Sequence, residues 1–280
     1  MNALKKCHIF YHAVVIAFAA LMIYPLVWMV MSSLKESSTI FHTANQLIPA
    51  NPTLENYVQG WKGFSHTTFA TFFLNTAWVA LVGTFGTLVS SPLVAYALSR
   101  LNFRLRRALF GIVLVTMMLP EQVLMIPQYL WFNSLGWVNT YYPMTVPAFF
   151  ATHGFYIYLL MNFMSSIPRE LDAAAKIDGC SFYSIYGRVI LPLSAPAIAT
   201  VSIFSFIGRW NDYMAPLLYL KRTNKYTVSL ALKLFMDNTS SSDYGALFAM
   251  SALSLAPIFI IFVTMQRHLT EGVSTTGLKG

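Results

Sequence analysis

Residues 72–98 read FFLNTAWVALVGTFGTLVSSPLVAYAL, a stretch without a single Asp, Glu, Lys, Arg or His. A helix rises about 1.5 Å per residue, so about 20 apolar residues cross the hydrocarbon core of a bilayer. This stretch is longer than that, and it carries Gly83, Gly86 and Pro92 in its interior. Such residues break a soluble helix. Lipid, however, offers backbone groups no hydrogen-bonding partner, so a membrane segment stays helical and its neighbours cover the freed groups. Residues 72–98 therefore predict a membrane span.

Five further apolar blocks flank it: Ile9–Met31, Ala108–Phe132, Pro143–Met164, Ile190–Trp210 and Tyr244–Met265. The expectation is an all-α polytopic membrane protein with six transmembrane helices, residues 1–280 forming a single transmembrane domain. Composition agrees. The chain is 56% hydrophobic and only 10% charged, whereas a soluble domain carries roughly a quarter charged residues. Lys5 and Lys6 ahead of the first block suggest a secretory signal, but a signal's apolar region is shorter, ~7–15 residues. The first block is expected to be retained as a span.

A net charge of +8 does not imply nucleic acid, because the basic residues lie between apolar blocks rather than on one soluble face. Sorting them onto alternate sides of six spans gives one side Lys5, Lys6, Arg100, Arg104, Arg106, Arg107, Arg169, Lys176, Arg188, Arg267 and Lys279. The other side receives Lys35, Lys62, Lys221, Arg222, Lys225 and Lys233, all in two long loops, 32–71 and 211–243. The positive-inside rule then makes both termini cytoplasmic. Trp61, Trp131, Trp137, Tyr141, Tyr142, Trp210, Tyr213 and Tyr219 cluster near the expected outer ends, as interfacial aromatic belts do. Cys7 and Cys180 both fall on the cytoplasmic side, and no disulfide is expected. His8 and His12 have helical spacing, but two ligands close no metal site, and no metal is expected.

The longest cytoplasmic loop, 165–189, reads SSIPRELDAAAKIDGCSFYSIYGRV. It predicts helix, turn, helix. Pro168 suits a first turn, Glu170 and Asp172 lie near the positive end of the dipole and Lys176 near the negative end. Gly179 takes the left-handed closing position, and Ser181 caps a second helix through Arg188. By spacing alone the pair is either an amphipathic element resting on lipid headgroups or a docking element.

The run PRELDAAAKIDGCS followed by LPLSAPA resembles the coupling motif of ABC importer permeases: Glu-Ala-Ala, three residues, Gly, nine residues, Ile, one residue, Leu-Pro. Ala174, Ala175 and Gly179 match, Val189 stands in for the Ile, and Leu191-Pro192 closes the motif. Ala173 occupies the place of the motif's Glu, with acids at Glu170 and Asp172 instead. MSSLKESSTIF, NPTLENYV, FFLNTAWVAL, VAYALSRLNF, MMLPEQVLMIPQYL, LGWVNTYYPMTVPAFF, GRWNDYMAPLLYL and RHLTEGVSTTGLKG extend the likeness over nearly the whole chain. They resemble the carbohydrate-uptake branch, the maltose-type and glycerol-phosphate-type permeases, and the second permease of the pair.

That resemblance implies a coupling surface on Glu170, Asp172, Ala174, Ala175, Asp178, Gly179 and Pro192. It implies two ATP-binding subunits, a second homologous permease and an extracytoplasmic solute-binding protein, with a sugar as cargo. ATP and Mg would act on the partners and no cofactor on this chain. The chain has no G-x-x-x-x-G-K-[ST] phosphate loop, no H-E-x-x-H and no G-x-S-x-G, and no enzymatic activity is expected of it.

Glu121 is a carboxylate inside an apolar block, where charge costs at least ~2.5–3.5 kcal/mol at a helix centre. Either it lines a hydrated sugar pathway with Gln122 and Gln128, or it makes a structural hydrogen bond between helices or sits near the outer mouth. Trp210, Asn211 and Asp212 combine a ring that can stack on a sugar with hydroxyl-binding groups, or they anchor a helix end. A transporter driven by an ion gradient would use Glu121 for coupling, and an ABC permease for a phosphorylated polyol or other non-sugar solute keeps the same architecture.

Overall fold

The computed structural model describes residues 2–64, 66–237 and 243–277, with side chains over 11–64, 66–236 and 243–265. The side chains of Cys7 and His8 lie outside the described residues. In chain order the helices are α1 (Asn2–Ser32), α2 (Glu55–Lys62), α3 (Phe69–Arg100), α4 (Arg106–Met118), α5 (Glu121–Ser134) and α6 (Tyr142–Thr145). After a 3-10 turn at Val146–Phe150 come α7 (Gly154–Ser166), α8 (Glu170–Ile177) and α9 (Phe182–Ile185). A π turn at Tyr186–Ile190 leads into α10 (Leu191–Leu193), α11 (Ala195–Trp210), α12 (Met214–Tyr219), α13 (Val228–Asp237) and α14 (Tyr244–Gly277). Among the described residues there is no strand.

Four helical stretches are long and apolar enough to cross a membrane: Tyr11–Ser32, Phe69–Arg100, Tyr142–Ser166 and Tyr244–Met265. Two further pairs qualify only together, Arg106–Met118 with Glu121–Ser134, bent by 103°, and Phe182–Leu193 with Ala195–Trp210, bent by 75°. The described residues thus hold four spans, or up to six if each bent pair is one. Proline explains both bends. Pro120 adopts φ −62 and ψ 130 ahead of Glu121, an extended conformation that ends α4. Pro192 and Pro196 flank the second bend, where Ser194 has ψ 4. Pro92 in α3 and Pro257 in α14 stay inside continuous helices, as membrane helices tolerate.

Two compact units divide the chain, Met1–Ala70 with Ala231–Ala256, and Thr71–Leu230 with Pro257–Gly280. In the first, the segment after α1 is organised by buried polar groups. Lys35 Nζ donates to the carbonyls of Thr43 (2.8 Å) and Gln46 (2.6 Å). Asn56 Nδ2 donates to those of Ser33 (2.7 Å) and Lys35 (2.6 Å). Ser37 Oγ donates to Asp243 Oδ1 (2.7 Å), which also receives Ala246 N–H (3.0 Å) and so caps α14. Gly60 leaves room for Met250, since a Cβ there would lie 2.7 Å from the methionine side chain.

In the second unit an apolar core joins α3, α4, α7, α8, α9 and α11 through Ala95, Val113, Leu160, Met164, Ala175, Ile185 and Val201. A smaller one packs Val79, Phe132, Met144, Tyr219 and Leu220. The turn before α6 is fixed by Asn139, whose φ of 62 is a left-handed conformation that asparagine tolerates. Its Oδ1 accepts the N–H groups of Lys221 and Arg222, both at 3.2 Å, and its carbonyl accepts from Lys225 Nζ at 2.6 Å. Burial pushes the Tyr141 hydroxyl up to about 12, so it remains a donor to the Lys225 carbonyl (3.2 Å).

Candidate coupling surface and solute pathway

Both candidate sites lie in the second unit. The first is the helix-turn-helix between α7 and α11. Glu170 and Asp172 occupy the first turn of α8 and Lys176 the last, which complements the helix dipole. Gly179 has φ +79 with open space where a Cβ would be. Its demand for glycine is therefore conformational. The turn closes as a Schellman-type cap, Gly179 N–H to the Lys176 carbonyl (3.0 Å) and Cys180 N–H to that of Ala175 (2.9 Å). Ser181 Oγ accepts Ser184 N–H at 3.3 Å, as an N-cap does. The second helix runs past Arg188, through the π turn and on to Leu193.

This element is fastened to the end of α3 by Arg100. Its Nη1 donates to Asp172 Oδ2 at 3.2 Å, and its Nη2 donates to the carbonyls of Ile167 (2.7 Å) and Met164. Arg100 Nε and Asp172 Oδ1 have no partner among the described residues. The ion pair is therefore single-stranded, and the carbonyl contacts supply most of the hold. Arg106 Nε donates to the Leu98 carbonyl (2.7 Å) and Arg169 Nη2 to that of Ser99 (3.2 Å). Cations thus satisfy the last carbonyls of α3. Tyr96 Oη donates to the Phe182 carbonyl at 3.0 Å, tying the second helix to the same span.

Of the expected coupling residues, Ala175 turns inward at 8% exposure, while Glu170, Ala174, Asp178, Gly179, Pro192 and the variant position Ala173 are exposed. Asp172 is the half-buried partner of Arg100. Ile177 is 87% exposed and Tyr183 86% exposed, so the pair leaves large apolar side chains uncovered among the exposed charges of Glu170, Asp178 and Arg188. Exposed apolar side chains rimmed by polar ones are a feature of interaction sites. Arg100 entered the sequence reading only as a positive charge. Its partner lies 72 residues away, a contact that no local pattern reports.

The second site surrounds the break between α4 and α5. Glu121 stands in the first turn of α5, immediately after Pro120, and is exposed, as is Gln122. Its charge reaches Tyr156 and Asp212. Trp210 is only 4% exposed and stacks on Phe206 at 5.5 Å, so its ring belongs to the core. Asn211 is exposed at the end of α11. Asp212 Oδ1 accepts Ala215 N–H at 3.2 Å, which engages it with the start of α12.

Arg209 joins these elements. Its Nη1 donates to the Met144 carbonyl at 2.7 Å, Nη2 to Thr87 Oγ1 at 3.3 Å, and Nε to Ser205 Oγ at 3.4 Å. His153 Nε2 lies 3.5 Å from Nη2. Gly83 makes the space, because a Cβ there would sit 2.6 Å from the guanidinium carbon. The pattern of apolar blocks passes over Arg209, although it is the one Lys or Arg inside any of the six expected spans. Polar and charged groups exposed on apolar helices face protein or a hydrated cavity, not lipid.

A family model described as "Binding-protein-dependent transport system inner membrane component" matches residues 86–275. The "Probable ABC transporter permease protein YurM" of Bacillus subtilis (strain 168) is 34% identical over 258 residues, covering 92% of this chain and 84% of that protein. The trehalose/maltose transport system permease protein MalG of Thermococcus litoralis is 32% identical, covering 95% of this chain and 94% of that protein. Among solved structures, a bacterial ABC transporter involved in import of the acidic polysaccharide alginate contains a chain matching with a TM-score of 0.81. That match has 24% identity and covers 95% of this chain and 98% of the other. The match over residues 86–275 takes in both the helix-turn-helix and the Arg209 region, and the chain belongs to the family of binding-protein-dependent transport system inner membrane components.

Proposed function

We propose that this chain is one of two different permease subunits in an ATP-driven importer, and that it moves a saccharide delivered by an extracytoplasmic binding protein. The observation that carries the reading is the helix-turn-helix at 165–189. It exposes Ile177 and Tyr183 on one side and is bonded through Arg100 and Tyr96 to the span α3 on the other. An element that is stiff, exposes apolar side chains outside and is anchored inside passes a push from a docked subunit to a membrane helix. With both termini cytoplasmic, this loop faces the compartment that holds ATP. ATP and Mg would act on two separate ATP-binding subunits, and their closure would swing the spans between inward-facing and outward-facing states.

The saccharide cargo is supported by relatives named as permeases for trehalose/maltose, arabinooligosaccharides and galactooligosaccharides. Glu121, Gln122, Asn211 and Asp212 would offer amide and carboxylate groups to sugar hydroxyls along the pathway, with Trp210 holding the end of α11 in place.

The test is to tag this chain, extract it gently from membranes of its own organism and identify what co-purifies. Recovery of an ATP-binding subunit with a second permease supports the reading. A chain that comes out alone or bound only to itself overturns it and turns attention to Glu121 as the coupling carboxylate of an ion-driven carrier.

A further inference from the structure

Arg209 is a cation near the end of the apolar helix α11, and every acceptor that holds it is neutral: a carbonyl, two hydroxyls and an imidazole nitrogen. The single ion pair among the described residues is Arg100 with Asp172, so no described carboxylate comes within 4.0 Å of the Arg209 guanidinium. Asp212 acts on Arg209 electrostatically from beyond that distance. Asp212 accepts the Ala215 N–H, and Glu121 stands exposed in the first turn of α5. A charged side chain on an apolar helix faces the bundle interior or a hydrated cavity, bonds backbone carbonyls as Arg209 bonds that of Met144, and marks a substrate or ion pathway.

The guanidinium is also held in one place. Contacts from α3, α6, the α6–α7 break and α11 converge on it, and Gly83 leaves the room it occupies. The geometry is that of a fixed fork, not of a floppy surface cation. Arg209 remains half-buried, not sealed, so part of the fork stays accessible. A rigid, accessible guanidinium recognises a carboxylate, sulfate or phosphate through charge-assisted hydrogen bonds, which neutral hydroxyls only partly replace.

We infer that Arg209 is a specificity-determining residue that reads an anionic group on the transported saccharide. The inference rests on the pathway reading above and narrows it from sugars in general to acidic sugars. Glu121 and Asp212 would then take hydroxyls while Arg209 takes the charge, and a neutral sugar of the same size would leave the guanidinium without a close ion-pair partner.

The experiment uses the purified importer, containing this chain and its native partners, without the binding protein, held in its outward-facing state by ATP with the ATPase inactivated. Binding is titrated with two sets of probes, hexuronate trisaccharides against their methyl esters and hexose phosphates against the free hexoses. The expected result is at least a tenfold preference for the charged member of one set, which R209Q abolishes and R209K keeps in part. The set that discriminates tells carboxylate from phosphate.

The inference is overturned if the native complex binds charged and neutral members alike. It is equally overturned if R209Q weakens both members by the same factor, as a purely structural brace would. Should R209Q fail to assemble, R209K decides: an assembled R209K complex with a reduced charge preference supports the inference, one with the full native preference overturns it, and failure of both variants to assemble makes Arg209 a structural brace and overturns it. Binding or uptake of neutral sugars alone leaves the importer reading standing and removes only Arg209's role; a native preparation lacking ATP-binding partners removes the importer reading itself.

Discussion

Gly179 and Arg100 make opposite kinds of residue-level demand. At Gly179 nothing touches the missing Cβ, and the constraint is the positive φ. A left-handed conformation costs an L-residue roughly 1–2 kcal/mol, more for a β-branched one. Gly179→Val is expected to leave membrane insertion and abundance near normal while lowering uptake at least tenfold, measured as tagged protein in membranes against substrate accumulation. Normal uptake by that variant would remove the coupling role of the turn. At Arg100 the constraint is contact. Removing one partner of a buried pair costs about 3–5 kcal/mol, so Arg100→Gln is expected to lower both the amount of folded chain and uptake. Asp172→Asn, which leaves the carbonyl contacts of Arg100 in place, should be milder. A double variant no worse than Arg100→Gln alone would show that the two residues act as one clasp.

At the level of elements, the departures from straight helices carry the interest. The block 108–132 reads as one continuous span, yet the chain turns by 103° at Pro120. The turn sets Glu121 at a helix start, where its charge meets the positive end of the dipole. Pro120→Ala restores a backbone N–H and lets α4 run on. The expected consequence is at least a fivefold loss of transport, together with slower labelling of a cysteine placed at Gln122 by a water-soluble thiol reagent. Unchanged labelling would mean that α5 keeps its exposure without the proline. The bend at Ser194 lies between Pro192 and Pro196. It joins the helix-turn-helix directly to α11, the helix that ends in Arg209 and Trp210.

For the whole molecule, the distribution of Lys and Arg predicts orientation. A fluorescent reporter that matures only in the cytoplasm should light up when fused after Gly280. Alkaline phosphatase, active only outside, should work when inserted in the turn at Asn133–Tyr142, which holds no basic residue. The reverse pattern would invert the chain and take the helix-turn-helix away from ATP.

The sequence by itself determined the class of protein, the approximate location of the apolar blocks and the helix-turn-helix, down to the left-handed Gly179 and the cap at Ser181. These follow from local rules, because lipid forces backbone groups to bond within their own segment and turn chemistry depends on a few neighbouring residues. Only the tertiary structure decided which side chains meet. The pairing of Arg100 with Asp172, the burial of Trp210 and the gathering of Thr87, Met144, His153 and Ser205 around Arg209 join residues from 4 to 122 positions apart along the chain. Helix packing sets such distances, and packing depends on volumes across several segments at once, which no single stretch of sequence encodes.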